Sequence, residues 1–303
     1  MNGILNLYKP QGITSHTAVS VAKRVLGVKK AGHTGTLDPM ACGVLPILVG
    51  RGVKLSEYMV CDGKRYRTRL LLGITTDTQD TTGETLTKCD VDLSPESIKE
   101  AVMSFVGDYM QTPPMYSALK VDGKKLYEIA RKGGEVQREA RHVVIHSIDI
   151  HEVGRDFCEF TVSCSKGTYI RTLCADIGEK LGCGGTMAFL ERLEAGGFDV
   201  SDSITLEELR ELDENGKKSR IVSIEDFFDG LMKVKLNPFN SSLALNGAHI
   251  FLSKIKEKPE MSERVLLYTA RGDFFALGEV CEVEQKPAIK PIKMFFTSED
   301  FKS

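Results

Sequence analysis

The sequence predicts an α+β protein with a mixed, largely antiparallel sheet, followed by a smaller β-rich unit. Three observations carry this reading. At 303 residues the chain is roughly twice the usual domain length, so two cores are expected. Segments with strand character outnumber helical ones in the first two thirds, and several are neighbours in sequence, the arrangement that favours antiparallel pairing. Strand-like runs then return near the C-terminus, beyond an acidic stretch.

The first segment, GILNLYKPQG, reads as a short strand ending in a Pro-Gln-Gly turn. Ser15 is placed to cap a helix whose apolar positions, Ala18, Val21, Ala22, Val25 and Leu26, recur at helical spacing until Gly27 stops it. AGHTGTLDPMACG, residues 31–43, has three glycines and a proline with no periodicity, so it is a loop. It feeds an apolar strand, Val44 to Val49, and a short helix is predicted from Lys54 to Met59.

From Lys64 to Leu72, Tyr66, Thr68, Leu70 and Leu72 alternate with Arg65, Arg67, Arg69 and Leu71, a strand with one basic face. Ser94 and Pro95 open a helix with a stripe of Ile98, Ala101, Val102 and Phe105. Strands follow at Val143–Ile150 and Phe157–Cys164, then a helix at Thr168–Leu181 and a strand near Met187–Leu190. Gly182-Cys183-Gly184-Gly185 follows that helix and reads as its terminator, not as a phosphate cradle.

The first domain is predicted to span residues 1–198. Residues 199–232 read as an acidic connector, with Thr205 and Glu208 forming a capping box. Residues 233–303 form the second unit, with strands at Val265–Tyr268 and Phe274–Val280.

With 42% hydrophobic and 27% charged residues the composition is that of a globular protein, which excludes a disordered or collagen-like chain. No apolar run reaches the roughly 18 residues of a membrane-spanning helix and the first residues lack a leader pattern, so a cytoplasmic protein is expected. Eight cysteines without a C-x-x-C pair offer neither a zinc ribbon nor a thioredoxin motif, and read as reduced thiols. P-loop, dinucleotide-binding and nucleophile-elbow motifs are absent.

The net charge of −2 hides an uneven distribution. Residues 29–72 carry +5, residues 113–146 carry +3 and residues 202–229 carry −5. Basic segments with interleaved aromatics suit phosphate backbones, although a solvated basic face reads the same way. Within the first basic segment, His33-Thr34-Gly35-Thr36-Leu37-Asp38-Pro39 holds a carboxylate in a glycine-containing loop. Taken alone, Asp-Pro also starts ordinary turns.

Six stretches in order give this loop a second meaning: GILNLYKPQGITS, AGHTGTLDPMACGVLPI, KRYR with TTDT shortly after, PPMYSALKVDGKKLYEIARKG, CSKGTYIRTL and DIGEKLGCGGTMAFLERL. Through them the sequence resembles the TruB family of tRNA pseudouridine synthases. The resemblance implies a pseudouridine synthase catalytic domain, a small C-terminal PUA-like RNA-binding β-barrel, and isomerisation of uridine 55 in the T loop of tRNA. In it Asp38 falls on the catalytic aspartate, Tyr66 on the tyrosine that stacks against the target base, and Arg171 on the arginine paired with the aspartate. Tyr169 lies close by.

His33 falls on the histidine associated with the flipped-out base, and Leu190 on an apolar pocket residue, though alone it reads as core. Lys9 and Lys64, in the first and third stretches, are grouped with the substrate-binding residues. The insertion at about 110–142 matches a segment that closes over the T arm, with Lys120, Lys124, Lys125, Arg131 and Lys132 as phosphate contacts. Asn246-Gly247-Ala248-His249 matches a PUA turn. By the same resemblance no cofactor, no metal and no protein partner is needed. A non-catalytic tRNA-binding or folding protein, and a synthase for another RNA, remain alternatives to this reading.

Overall fold

The structure, a computed structural model, describes residues 1–59, 63–117, 119–121, 123–130 and 132–301. The chain begins with β1 (Gly3–Lys9), α1 (Ser15–Val25), β2 (Ala31–His33) and β3 (Cys42–Val49). Next come β4 (Gly63–Leu72), the small hairpin of β5 (Ile74–Thr76) and β6 (Thr85–Lys88), α2 (Pro95–Met103) and β7 (Gly107–Gln111). The insertion contributes β8 (Lys120–Val121), β9 (Lys124–Lys125) and α3 (Leu126–Ala130). The domain continues with β10 (Arg141–Val153), β11 (Phe157–Ser165), α4 (Ile170–Lys180), β12 (Gly185–Ala195) and β13 (Phe198–Asp199).

Among the described residues nine of these strands, with one more, make a ten-stranded sheet in the order β14-β1-β3-β12-β4-β11-β10-β7, with β2 added at β3 and β13 at β12, while β5–β6 and β8–β9 are separate hairpins. The added strand is β14 (Ile221–Ser223), which follows α5 (Leu206–Glu211) and α6 (Glu214–Ser219). All pairings are antiparallel except β3 with β12. At that junction a Cβ on Gly43, at φ +102°, would lie 2.2 Å from the Arg192 carbonyl oxygen, so only glycine lets the two strands meet.

Burial explains the patterns read from sequence. β3 is buried along its whole length because α1 covers one face and the C-terminal unit the other, which gives a continuous apolar run. β4 alternates because its arginine face is open, while Tyr66, Thr68, Leu70 and Leu72 are buried.

Several expectations are corrected. Thr14, not Ser15, caps α1, accepting from the Thr17 amide, which releases the Ser15 side chain for another task. The helix expected over residues 54–59 is instead a 3₁₀ segment at Gly50–Leu55; the Lys54 ammonium and Arg51 guanidinium donate to the carbonyls of Met294 and Phe295, so contacts with the second unit set its path. α4 is two residues shorter at its start, and β12 extends well beyond 187–190.

The acidic stretch is not a free linker: Leu206 and Leu209 join the main core and β14 pairs with β1. Its charges face solvent, while its apolar residues close the open edge of the sheet.

The C-terminal half-barrel comprises β15 (Met232–Lys235), α7 (Pro238–Leu245), β16 (Ile250–Phe251), β17 (Arg264–Tyr268), β18 (Phe274–Val283) and β19 (Lys286–Met294). Strand order is β15-β17-β18-β19-β16. Asn246-Gly247-Ala248-His249 forms the exit from α7. Ile4, Leu48, Leu55 and Met59 of the first domain share a buried cluster with Leu266, Phe274 and Phe295 of the second. Among the described residues no helix is long and apolar enough to cross a membrane.

Candidate active site

Asp38 sits in the loop between β2 and β3, and three groups fix that loop. The Ser15 hydroxyl donates to the Leu37 carbonyl at 2.9 Å and accepts from the Leu37 amide at 2.8 Å, clamping the residue before Asp38 to the first turn of α1. The Gly12 amide donates to the Pro39 carbonyl at 2.8 Å. Lys9 is 0% exposed, with its ammonium donating to the carbonyls of Pro10 (2.8 Å), Ile13 (2.9 Å) and Pro39 (3.5 Å). Lys9 is therefore a strut beneath the loop and not a surface contact for substrate; burial lowers its pKa to about 8.

Ser15→Ala removes both bonds to Leu37. It is expected to cost about 1–2 kcal/mol of stability and to lower turnover more than substrate affinity; an unchanged kcat would remove Ser15 from the positioning of Asp38.

Facing Asp38, Arg171 lies in the first turn of α4 and is buried. Its Nε reaches Asp38 Oδ2 at 3.0 Å. Nη2 donates to the Tyr116 carbonyl at 2.9 Å, Nη1 donates to the Thr78 carbonyl at 3.3 Å, and Nη1 lies 3.7 Å from Asp80 Oδ2. A planar guanidinium has donors on three sides, and this site uses them all.

Nothing in the residues around Asp80 singles it out from sequence. It is buried at the base of the turn between β5 and β6, where its carboxylate accepts from the Thr78 hydroxyl (2.8 Å) and the Thr82 amide (3.0 Å). Gln79 adopts φ +63° to make the turn, and its carbonyl accepts from the Met187 amide of β12. Gln111, at the end of β7, exchanges two bonds with the Tyr169 backbone (2.7 and 2.9 Å) and so fixes the residue that starts α4.

Burial and the nearby Asp80 carboxylate raise the Asp38 pKa above the ordinary value, against the opposing pull of Arg171 and then Lys9. If the reaction requires ionised Asp38, activity falls as pH drops through that raised value. The acid limb of kcat/KM is therefore expected to inflect above the ordinary aspartate range, about 3.9. A limb at or below that range would contradict the assignment.

The remaining residues sit on β2, β4, β12 and the start of α4. Tyr66 on β4 is opposite Arg192 on β12, and Leu190, two residues earlier, is opposite Thr68, so Tyr66 and Leu190 lie on neighbouring strands. Both are buried. Burial raises the Tyr66 and Tyr169 pKa values, keeping both phenols neutral, and both hydroxyls feel the Asp38 charge. His33 is held neutral by burial and by Arg192, and its Nδ1 is buried without a partner among the described residues.

Arg192 is likewise unannounced in the sequence. It is 1% exposed and donates to the carbonyls of Val44 (2.7 Å) and Gly35 (3.1 Å), tying the Asp38 loop to β12 and β3.

The basic insertion is placed differently. Lys120 pairs with Lys125 and Val121 with Lys124 in the β8–β9 hairpin, Lys132 is exposed after α3, and Arg131 lies outside the described residues. Its base reaches the active site through the Tyr116 carbonyl on Arg171.

A carboxylate held by a guanidinium, with two neutral phenols near enough to feel its charge, suits covalent chemistry on a flat uncharged ring. A sequence model described as TruB family pseudouridylate synthase (N terminal domain) matches residues 23–170, and one described as tRNA pseudouridylate synthase B C-terminal domain matches residues 171–243. The tRNA pseudouridine synthase B of Alkaliphilus oremlandii (strain OhILAs) is 44% identical over 99% of this chain and 100% of its own length. That of Clostridium novyi (strain NT) is 45% identical over 92% of this chain and 95% of its own. The chain belongs to the TruB family.

Among solved structures, a Cbf5-Nop10-Gar1 complex gives a TM-score of 0.70 at 26% identity, covering 98% of this chain and 86% of the matched one. An H/ACA RNP bound to a substrate RNA containing 2′-deoxyuridine gives 0.68 at 25%, covering 97% and 85%. The two TruB sequence models meet at residues 170 and 171, within the candidate site; the sheet is continuous across that junction because β12 lies between β3 and β4.

Proposed function

We propose that the protein is a stand-alone cytoplasmic tRNA pseudouridine synthase that isomerises uridine 55 in the T loop, with Asp38 as nucleophile. The observation that carries this reading is the Asp38–Arg171 contact, with the Tyr66 and Tyr169 phenols near enough to feel the Asp38 charge; these residues, with His33 and Leu190, form the recess we assign to the base. Close relatives named tRNA pseudouridine synthase B, matched over nearly the whole chain, support the substrate.

In the reaction the N1–C1′ bond breaks, a C5–C1′ bond forms, the C5 hydrogen leaves to solvent and N1 gains one. The sum is an isomerisation without an electron acceptor. The base leaves the loop stack to enter the recess, where aromatic and apolar surfaces replace its former neighbours. Asp38 attacks covalently, which divides one difficult exchange into two steps. Arg171 holds the carboxylate in line and compensates its charge.

The Asp38–Arg171 contact supports an enzyme over a binding protein, since binding alone needs no paired carboxylate. In our reading the basic insertion closes on the T arm, and the C-terminal half-barrel is a PUA-like RNA-binding unit. Incubation with tRNA carrying 5-tritiated uridine is expected to release one tritium per tRNA; no release above background would reject the enzymatic reading.

Neutralising Lys120, Lys124, Lys125 and Lys132 together is expected to weaken tRNA binding and to reduce the slope of log K against log salt by about 0.7–0.9 for each phosphate no longer neutralised. An unchanged slope would place them outside the interface.

A further inference from the structure

Beside the Asp38 loop lies a recess of about 60 Å³ whose walls include Thr34, Gly35, Lys64, Lys166 and Arg192 together with the apolar Met59. That is space for roughly four waters, the scale of one tetrahedral oxyanion and too small for a nucleoside. Three of these side chains are cations. A Cβ built on Gly35 would be 3.5 Å from Arg192 Nη1 and 3.9 Å from Lys64 Nζ, so both charges approach one point that the glycine leaves open.

Neither of these two charges is compensated by a carboxylate. Among the described residues none lies within ion-pair distance of Arg192 or Lys64. Strand alternation sends Glu191 to the opposite face, where it accepts from the Tyr8 hydroxyl at 2.9 Å, and Glu194 pairs with Arg65 at 3.8 Å. Holding a half-buried ammonium beside a buried guanidinium without a counter-ion is unfavourable, and partial burial together with Arg192 lowers the Lys64 pKa. An anion seated here would relieve both, and the exposed Lys166 lines the same recess.

We propose that this recess is a phosphate subsite, filled by one RNA backbone phosphodiester beside the flipped nucleotide. Its position selects the phosphodiester over free phosphate. Lys64 is two residues from Tyr66, Gly35 three from Asp38, and Arg192 is paired with Tyr66 across the strands, so the subsite adjoins the base pocket where the displaced backbone must run. The assignment rests on the tRNA reading and names a contact within it.

The test uses the full-length protein and a T-arm stem-loop in which single phosphates near the target uridine are replaced by uncharged methylphosphonates. Binding is measured against salt for wild type, Lys64→Gln, Lys166→Gln and the double variant. Each single variant is expected to bind about tenfold more weakly, and one methylphosphonate position to weaken wild type similarly while costing the double variant nothing. The melting temperature of Lys64→Gln without RNA is expected to equal or exceed that of wild type, since an uncompensated cation is removed, which separates weakened binding from impaired folding.

Methylphosphonate effects that persist undiminished in the double variant would overturn the proposal. So would competition by inorganic phosphate with no sensitive backbone position, which would mean a free-anion site. Pseudouridine formation, followed in the same samples, reports separately on the tRNA reading, because binding is measured whether or not chemistry occurs.

Discussion

Asp38→Asn is expected to lower pseudouridine formation by at least about 10⁴-fold, the scale on which loss of a nucleophile acts, while RNA binding stays within a few-fold. The amide keeps the size of the carboxylate but cannot attack. The surroundings should tolerate it, because Arg171 retains the carbonyls of Tyr116 and Thr78 and the Asp80 carboxylate. Stability follows from the sign of the pKa shift. Folding raises the Asp38 pKa, so the native state binds a proton more tightly than the unfolded chain, and the ionised form is a net cost at neutral pH that is relieved as pH falls through the raised value. The variant is therefore expected to melt at or above the wild-type temperature. A well-folded Asp38→Asn protein with near-normal turnover would remove Asp38 from the chemistry.

Arg171→Lys is expected to lower kcat by about 10²–10³-fold, comparable to removing one preorganised donor, with a smaller effect on KM. Arg171 spans Asp38 and Asp80 and the two carbonyls with donors set in one plane; a single ammonium cannot reach them all. Acceptors left unpaired at this buried position should cost about 1–3 kcal/mol and lower the melting temperature by several degrees. Arg171 is also the largest influence holding the Asp38 pKa down, so its weakening should move the acid limb of the pH profile upward. That shift distinguishes positioning of a reactive carboxylate from mere structural support. Unchanged kcat and an unmoved limb would contradict the role.

The three residues at the centre of the site are legible because each lies in a compact motif: Asp38 in G-T-L-D-P, Tyr66 in K-R-Y-R and Arg171 in G-T-Y-I-R. Their supports are not. Asp80 lies in TTDTQDTTGE, which reads as a polar surface turn; its burial depends on β5 and β6 folding back so that Gln79 and Thr81 bond to Met187. Arg192 sits on a strand where alternating charge normally means solvent, and it is buried where the carbonyls of Val44 on β3 and Gly35 of the Asp38 loop converge on its guanidinium. Lys9 resembles a surface cation, since nothing in its neighbours announces that three carbonyls converge on it.

The sheet is legible where one face is wet and one dry, as in β4, or where both are covered, as in β3. β14 leaves no such signal because a three-residue strand has no period, and it forms only where β1 offers a free edge. The capping box at Thr205 and Glu208 forms as its residues dictate, yet the helix it starts packs into the core and does not float on the surface.

Isomerisation of one T-loop uridine in the Asp38 recess is tested most directly by incubating the full-length protein with an unmodified tRNA and mapping pseudouridine at every position. The expected result is a single new pseudouridine at position 55. Pseudouridine at another position, or none while the tRNA is bound, would contradict it.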